Sequence, residues 1–170
     1  MIKSLTINTI LYIGVATAIL CFMTSLFPFQ ALAAPLSIFT SLSSNIANTN
    51  SSYQIEFETA TNGTIKTIDI GFPDHYNTQF AKLIETNGIN PGSLSFSSGT
   101  YPYPSTIHYT VTSPVPIPAD TYIKLKISNI TNTNVAGEDY TLLTTTKDDA
   151  GNTIDGPSET KTFIIKDAGL

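Results

Sequence analysis

From Tyr53 onward, apolar side chains return at every second position in short runs that end at Gly, Pro, Asn or Asp. A two-residue period gathers the apolar groups of each run on one face of an extended chain, whereas a helix would scatter them around its circumference. Tyr53, Ile55 and Phe57 alternate with Gln54, Glu56 and Glu58, and Asn62-Gly63 marks a tight turn. Ile68, Ile70 and Phe72 form a second run that stops at Pro73, which has no N–H to give a ladder. A third lies from Ser93 to Ser97, around Leu94 and Phe96. Ile107, Tyr109 and Val111 alternate with Thr106, His108 and Thr110 before Pro114, Pro116 and Pro118 impose an extended connection. Ile123, Leu125 and Ile127 then alternate with Lys124 and Lys126, one dry face and one wet. Tyr140, Leu142 and Thr144, and finally Thr162 to Lys166 around Phe163 and Ile165, supply the last strands.

One segment departs from this period. Phe80, Leu83 and Ile84 follow Asn77-Thr78 at helical spacing and precede Gly88, which predicts a short helical crossover between two sheets. Strands at intervals of about ten residues with one crossover predict an all-β fold, an antiparallel two-sheet sandwich.

The N-terminus has a different character. Lys3 precedes an uncharged apolar run from Ile10 to Phe27, Pro28 breaks it, and Ala31-Leu32-Ala33 follows. A basic start, an apolar helix and small residues three and one positions before Ala34 are the parts of an export signal, so residues 1–33 are read as a signal helix. The alternative is an uncleaved anchor, since a membrane span needs about 20 residues. In both cases residues 34–170 face outward, at the cell surface or beyond it, and the membrane is met only through residues 1–33. The single cysteine, Cys21, lies inside the apolar run, so the exported part holds no disulfide and depends on a packed core. Residues 34–52 are read as an N-terminal strand and a linker rich in Ser, Asn and Thr, and residues 53–170 as the sandwich. In that strand Leu36, Ile38 and Leu42 share one phase and Phe39 takes the other. It is either the edge strand of its own domain or a donor strand that completes a neighbouring copy's sheet and builds a filament.

Eight lysines and no arginine stand against thirteen acidic side chains, and the lysines are scattered. Nucleic-acid binding draws on clustered Lys and Arg, so that class of partner is set aside.

Several segments resemble an immunoglobulin-like domain that recurs in bacterial and archaeal cell-surface proteins. They are Ile68-Asp69-Ile70-Gly71-Phe72-Pro73, the prolines and turn before Tyr122 to Ile127, the link Asn129-Ile130-Thr131-Asn132, Tyr140 to Thr146 with Lys147-Asp148, and Gly151 to Gly156. The resemblance covers most of Tyr53 to Lys166 and implies an immunoglobulin-like, non-enzymatic sandwich with a structural or adhesive role. Two positions depart from the pattern: Asp120 stands where such domains often carry glycine, and Thr133 follows Asn132 where proline is common. A single copy behind a signal segment is also atypical, which favours a subunit.

Candidate sites are few. Asp148, Asp149, Asn152, Asp155 and Glu159 gather oxygen ligands of the kind calcium takes, although Ala150 and Thr153 break the helical calcium-loop pattern. Otherwise the stretch is a solvated turn, and no other cofactor is indicated. Tyr101 and Tyr103, held by Pro102 and Pro104, offer aromatic faces to a glycan or to a protein. Glu56 and Glu58 have the spacing of a glycosidase pair but no pocket, and His75 and His108 fall in a turn and on a wet face. Acyl transfer lacks a cysteine or a serine on a nucleophile elbow. A lysine–asparagine crosslink lacks a lysine on the first core strand, Tyr53 to Ala60. The sequence therefore points to an exported, non-enzymatic structural or adhesive domain that associates with itself or with other surface proteins. Its rival is a lectin-like module built on the aromatic loop with calcium assistance.

Overall fold

The computed structural model describes residues 33–169. In chain order its strands are β1 (Ser37–Leu42), β2 (Asn50–Glu58), β3 (Gly63–Thr64), β4 (Thr67–Phe72), β5 (Lys82–Asn87), β6 (Gly92–Thr100) and β7 (Tyr103–Val111). They continue with β8 (Pro116–Ile117), β9 (Tyr122–Thr131), β10 (Gly137–Tyr140), β11 (Leu143–Lys147), β12 (Thr153–Glu159) and β13 (Phe163–Ile165). Two antiparallel sheets dominate, one ordered β1-β2-β9-β5 and the other β12-β11-β4-β7-β6, with the small pairs β10-β13 and β3-β8 beside them.

The alternating runs explain the core directly. Tyr53, Ile55 and Phe57 of β2 and Ile123, Leu125 and Ile127 of β9 point inward from the four-stranded sheet and are fully buried. Ile68, Ile70 and Phe72 of β4 with Ile107, Tyr109 and Val111 of β7 meet them from the five-stranded sheet. The rings of Tyr53 and Phe72 join the two layers edge to face at 5.4 Å. Each such aliphatic side chain contributes about 1.5–3 kcal/mol on leaving water, which makes these four strands the centre of the fold.

The expected helical crossover at Phe80, Leu83 and Ile84 is not there. Leu83 and Ile84 belong to the edge strand β5, antiparallel to β9, with Lys82 opposite Ser128 and Leu83 opposite Ile127, and Phe80 lies in the turn before it. A bulge between Leu83 and Glu85 breaks the two-residue period, and the extra residue imitates helical spacing. Phe80 and Ile84, which a helix would have buried, stand exposed. Gly88 ends no helix. Its φ of +74° takes the chain past Tyr122, whose carbonyl a side chain at position 88 would strike. The signal helix expected at the N-terminus lies outside the described residues.

Of residues 34–52, read as a strand and a Ser/Asn/Thr linker, the structure has β1, a tied-down loop and, from Asn50, the start of β2. Asn132, 1 % exposed, donates from Nδ2 to the carbonyls of Ser44 (3.0 Å) and Ile46 (2.9 Å), and its backbone N–H donates to Thr49 (3.0 Å). Its Oδ1 accepts from Tyr53 Oη at 2.6 Å. Ahead of this loop β1 pairs in register with β2, from Ser37 opposite Glu58 to Leu42 opposite Tyr53. Leu36 and Ile38 are buried, Leu42 is half-buried, and Phe39 faces out under the ammonium of Lys161. Ala33–Leu170 forms a compact unit with its own core.

Candidate functional site

The outer face of the five-stranded sheet carries a continuous polar chain drawn from four strands. Asp69 of β4 lies opposite His108 of β7, and Ser97 of β6 and Lys147 of β11 each sit two residues beyond a position opposite one of that pair. Diagonal neighbours of this kind are within reach of longer side chains. His108 Nε2 is 2.7 Å from Ser97 Oγ and its Nδ1 is 2.6 Å from Asp69 Oδ1. Lys147 donates to Asp69 Oδ2 at 2.6 Å. Serine, imidazole and carboxylate are thus aligned as in a nucleophilic relay, on a face where the wet phase of each alternating run meets its neighbours. Sequence reasoning placed His108 on that wet face but missed the alignment, which depends on strand order. The signal was the shared phase of Asp69, Ser97 and His108.

The β6–β7 hairpin supplies the second feature. Tyr101, at its tip, is 89 % exposed, whereas Tyr103 is buried. Tyr103 Oη donates to Glu159 Oε1 at 2.7 Å and lies 2.7 Å from Thr141 Oγ1. Burial pushes its phenol up from the ordinary value. Gly99 lets this hairpin close, since a side chain there would meet the Tyr103 carbonyl. The two aromatics proposed as a pair therefore part company, one presented to solvent and one structural. On one side of Tyr101 a groove of about 530 Å³ runs past Asp74, His75, Val135 and Asp139. A second, of about 450 Å³, runs past His108, Asp69 and Lys147.

The five proposed calcium ligands are not brought together, and among the described residues no three His, Cys, Asp or Glu side chains gather to hold a metal ion. Asp148 accepts from the backbone N–H of Asn152 at 2.8 Å and from its Nδ2 at 2.9 Å, which holds its carboxyl below the ordinary range. Asp149 sits at the exposed tip of the same turn. Glu159 is engaged by Tyr103. Asp155 is fully buried and accepts from the Ala60 N–H at 3.2 Å. Ile38 and Leu42 lie along β2 of the same chain, and Leu36, just before β1, donates its N–H to Ser158 of β12.

No family model matches the chain, and no curated protein matches it. Among solved structures it is similar to BslA, described as a bacterial hydrophobin, at 13 % identity and a TM-score of 0.49, covering 82 % of this chain and 100 % of that one. It is also similar to an uncharacterized protein from Nocardia farcinica with an immunoglobulin-like fold, at 11 % identity and a TM-score of 0.46, over 69 % and 80 % of the two chains. A cohesin module from a Clostridium perfringens family 33 glycoside hydrolase is similar at 14 % identity and a TM-score of 0.42, over 79 % and 99 %.

Proposed function

We propose that this chain is an exported, non-enzymatic domain that acts at the cell surface through structural or adhesive contact. The observation that carries the reading is a coincidence of boundaries. Among the described residues the first backbone bridge is made by Ala34, to Asp155, and Ala34 is the residue that follows the cleavage point of the signal-like segment. The unit beyond it contains no cysteine and relies on its core.

The relay at Ser97 does not by itself make an enzyme. Acyl transfer needs donors aimed at the developing oxyanion. On a sheet the backbone N–H groups point within the plane toward neighbouring strands, while Ser97 Oγ projects out of it. Contact surface, by contrast, is plentiful: Tyr101, Phe80, Ile84 and Val135 stand exposed around the domain. In the filament form of the reading, β1 of one copy pairs with β2 of the next. The full intramolecular register of β1 and the ties to Asn132 favour a self-contained subunit instead.

A second reading, glycan binding, is favoured by one observation, the exposed ring of Tyr101 over a groove that also holds Asp74, His75 and Asp139. Aromatic faces beside carboxylates are what a sugar needs for stacking and hydrogen bonding. Intact mass and size-exclusion chromatography of the native exported protein test the main reading. A chain that begins at Ala34, or a full-length chain held at the surface, supports it, and a chain found only inside the cell overturns it. Loss of glycan-array signal in Tyr101→Ala would move the assignment to the second reading.

A further inference from the structure

Asp155 is 0 % exposed, and its surroundings satisfy only half of its carboxylate. Oδ2 accepts from Ala60 N–H, while Oδ1 has no hydrogen-bond partner among the described residues. The ion pairs among those residues engage Asp69, Asp74 and Glu85, and none engages Asp155. A buried carboxylate without a cation is a strongly unfavourable arrangement, and folded proteins ordinarily supply the missing partner.

One of the segments beside Asp155 is the one that enters the domain. Ala34 forms a parallel bridge with Asp155, and its carbonyl accepts from Gly156 N–H at 2.7 Å. Bridged backbones run about 4.8 Å apart. Two residues on, Leu36 N–H donates to Ser158 Oγ at 2.8 Å, so the entry segment is fixed along β12 at two points. On the other side, Gly156 turns with a φ of +84°, and a side chain there would come within 2.6 Å of the Thr144 carbonyl. Asp155 is held in place as well, because its own N–H donates to Thr146 Oγ1 at 3.0 Å. The uncharged amide nitrogen of an uncut Ala34 has one hydrogen and no charge to offer a carboxylate.

We propose that Asp155 is the binding site for the α-ammonium group that cleavage after Ala33 creates. The inference rests on the export reading. In the cleavage step water adds across the Ala33–Ala34 peptide bond, leaving a carboxylate on Ala33 and a primary amine on Ala34 that takes up a proton. The new ammonium would bring three donors and one positive charge to the segment bridged to Asp155, where Oδ1 is the acceptor left open. Processing would then do more than release the domain. It would complete a buried ion pair, so that the mature chain is more stable than its precursor and acquires that stability only after it is cut.

The test compares the residue 34–170 unit in three forms: with a free amine at Ala34, with that amine acetylated, and with Ala33 retained. Each is made with Asp155 and with Asp155→Asn. In the Asp155 background the free-amine form should melt about 5 °C above the other two, and in Asp155→Asn the difference should vanish. Equal melting temperatures with Asp155 present, or a difference that survives Asp155→Asn, would overturn the proposal. If Asp155→Asn does not fold, acylation of the Ala34 amine in the Asp155 chain decides. Acylation at least tenfold slower in the folded than in the urea-unfolded chain supports the pair, and equal rates refute it. These chains are prepared in vitro, so a different N-terminus on the native exported protein would defeat the export reading without touching the contact itself.

Discussion

Asn132 donates both Nδ2 hydrogens to the loop between β1 and β2 and accepts the hydroxyl of Tyr53, so one amide joins that loop to the core. Asn132→Ala would leave two carbonyls and a buried phenol without their partners, and chemical denaturation should show a loss of about 3 kcal/mol. Burial raises the Tyr53 phenol far above its ordinary range, which keeps it a donor at every pH the fold survives. Asp148 makes a different kind of prediction. Its carboxyl sits below the ordinary 3.8 because Asn152 donates to the charged form. A depressed folded value means that the contact is complete above the unfolded value and is lost as pH falls through the folded one. Carboxyl-carbon NMR titration should find Asp148 below 3.8, and Asn152→Ala should move it back up. Neither contact could be read in full from the chain. Asn152 lies four residues from Asp148 in a recognisable turn, but the loop that Asn132 grips is more than eighty residues away, and its Ser, Asn and Thr content looks the same whether tied or free.

At the scale of elements, the strands that alternate cleanly are those whose inner face is completely dry. β2, β4, β7 and β9 were legible because Ile55, Ile70, Ile107 and Leu125 have no solvent on one side. β5 and β6 lie at the open edges of their sheets, where Ile84 and Phe96 stand partly in water and the pattern loses its contrast. β1 is also an edge, yet it buries Ile38, and Leu36 just before it is buried too. Removing residues 34–50 should therefore lower stability by at least about 3 kcal/mol. It should also uncover the free ladder of β2, seen as concentration-dependent association in size-exclusion chromatography. A shortened chain that stays monomeric and as stable as the whole domain would show instead that β1 belongs to a neighbour.

At the scale of the molecule, sheet order decides which polar groups meet. Asp69, His108 and Ser97 are remote in sequence, and only the order β4-β7-β6 aligns them. That order could not be read from alternation, so the relay stayed hidden although the wet face of His108 was legible. If the domain is non-enzymatic, a fluorophosphonate probe should label Ser97 no faster than other exposed serines. Rapid labelling that Asp69→Asn abolishes would reassign it as a hydrolase. The same architecture fixes how tension would pass through the domain. Ala34 is bonded to Gly156 just before β1, and Lys166 is bonded to Asn45 and Ala47 just after it. A pull between those two points therefore runs along β1 and loads its six pairings with β2 in shear. Strands sheared along their length must break their pairings together, whereas strands peeled from one end break them singly, so a domain mounted by these points would yield late and abruptly.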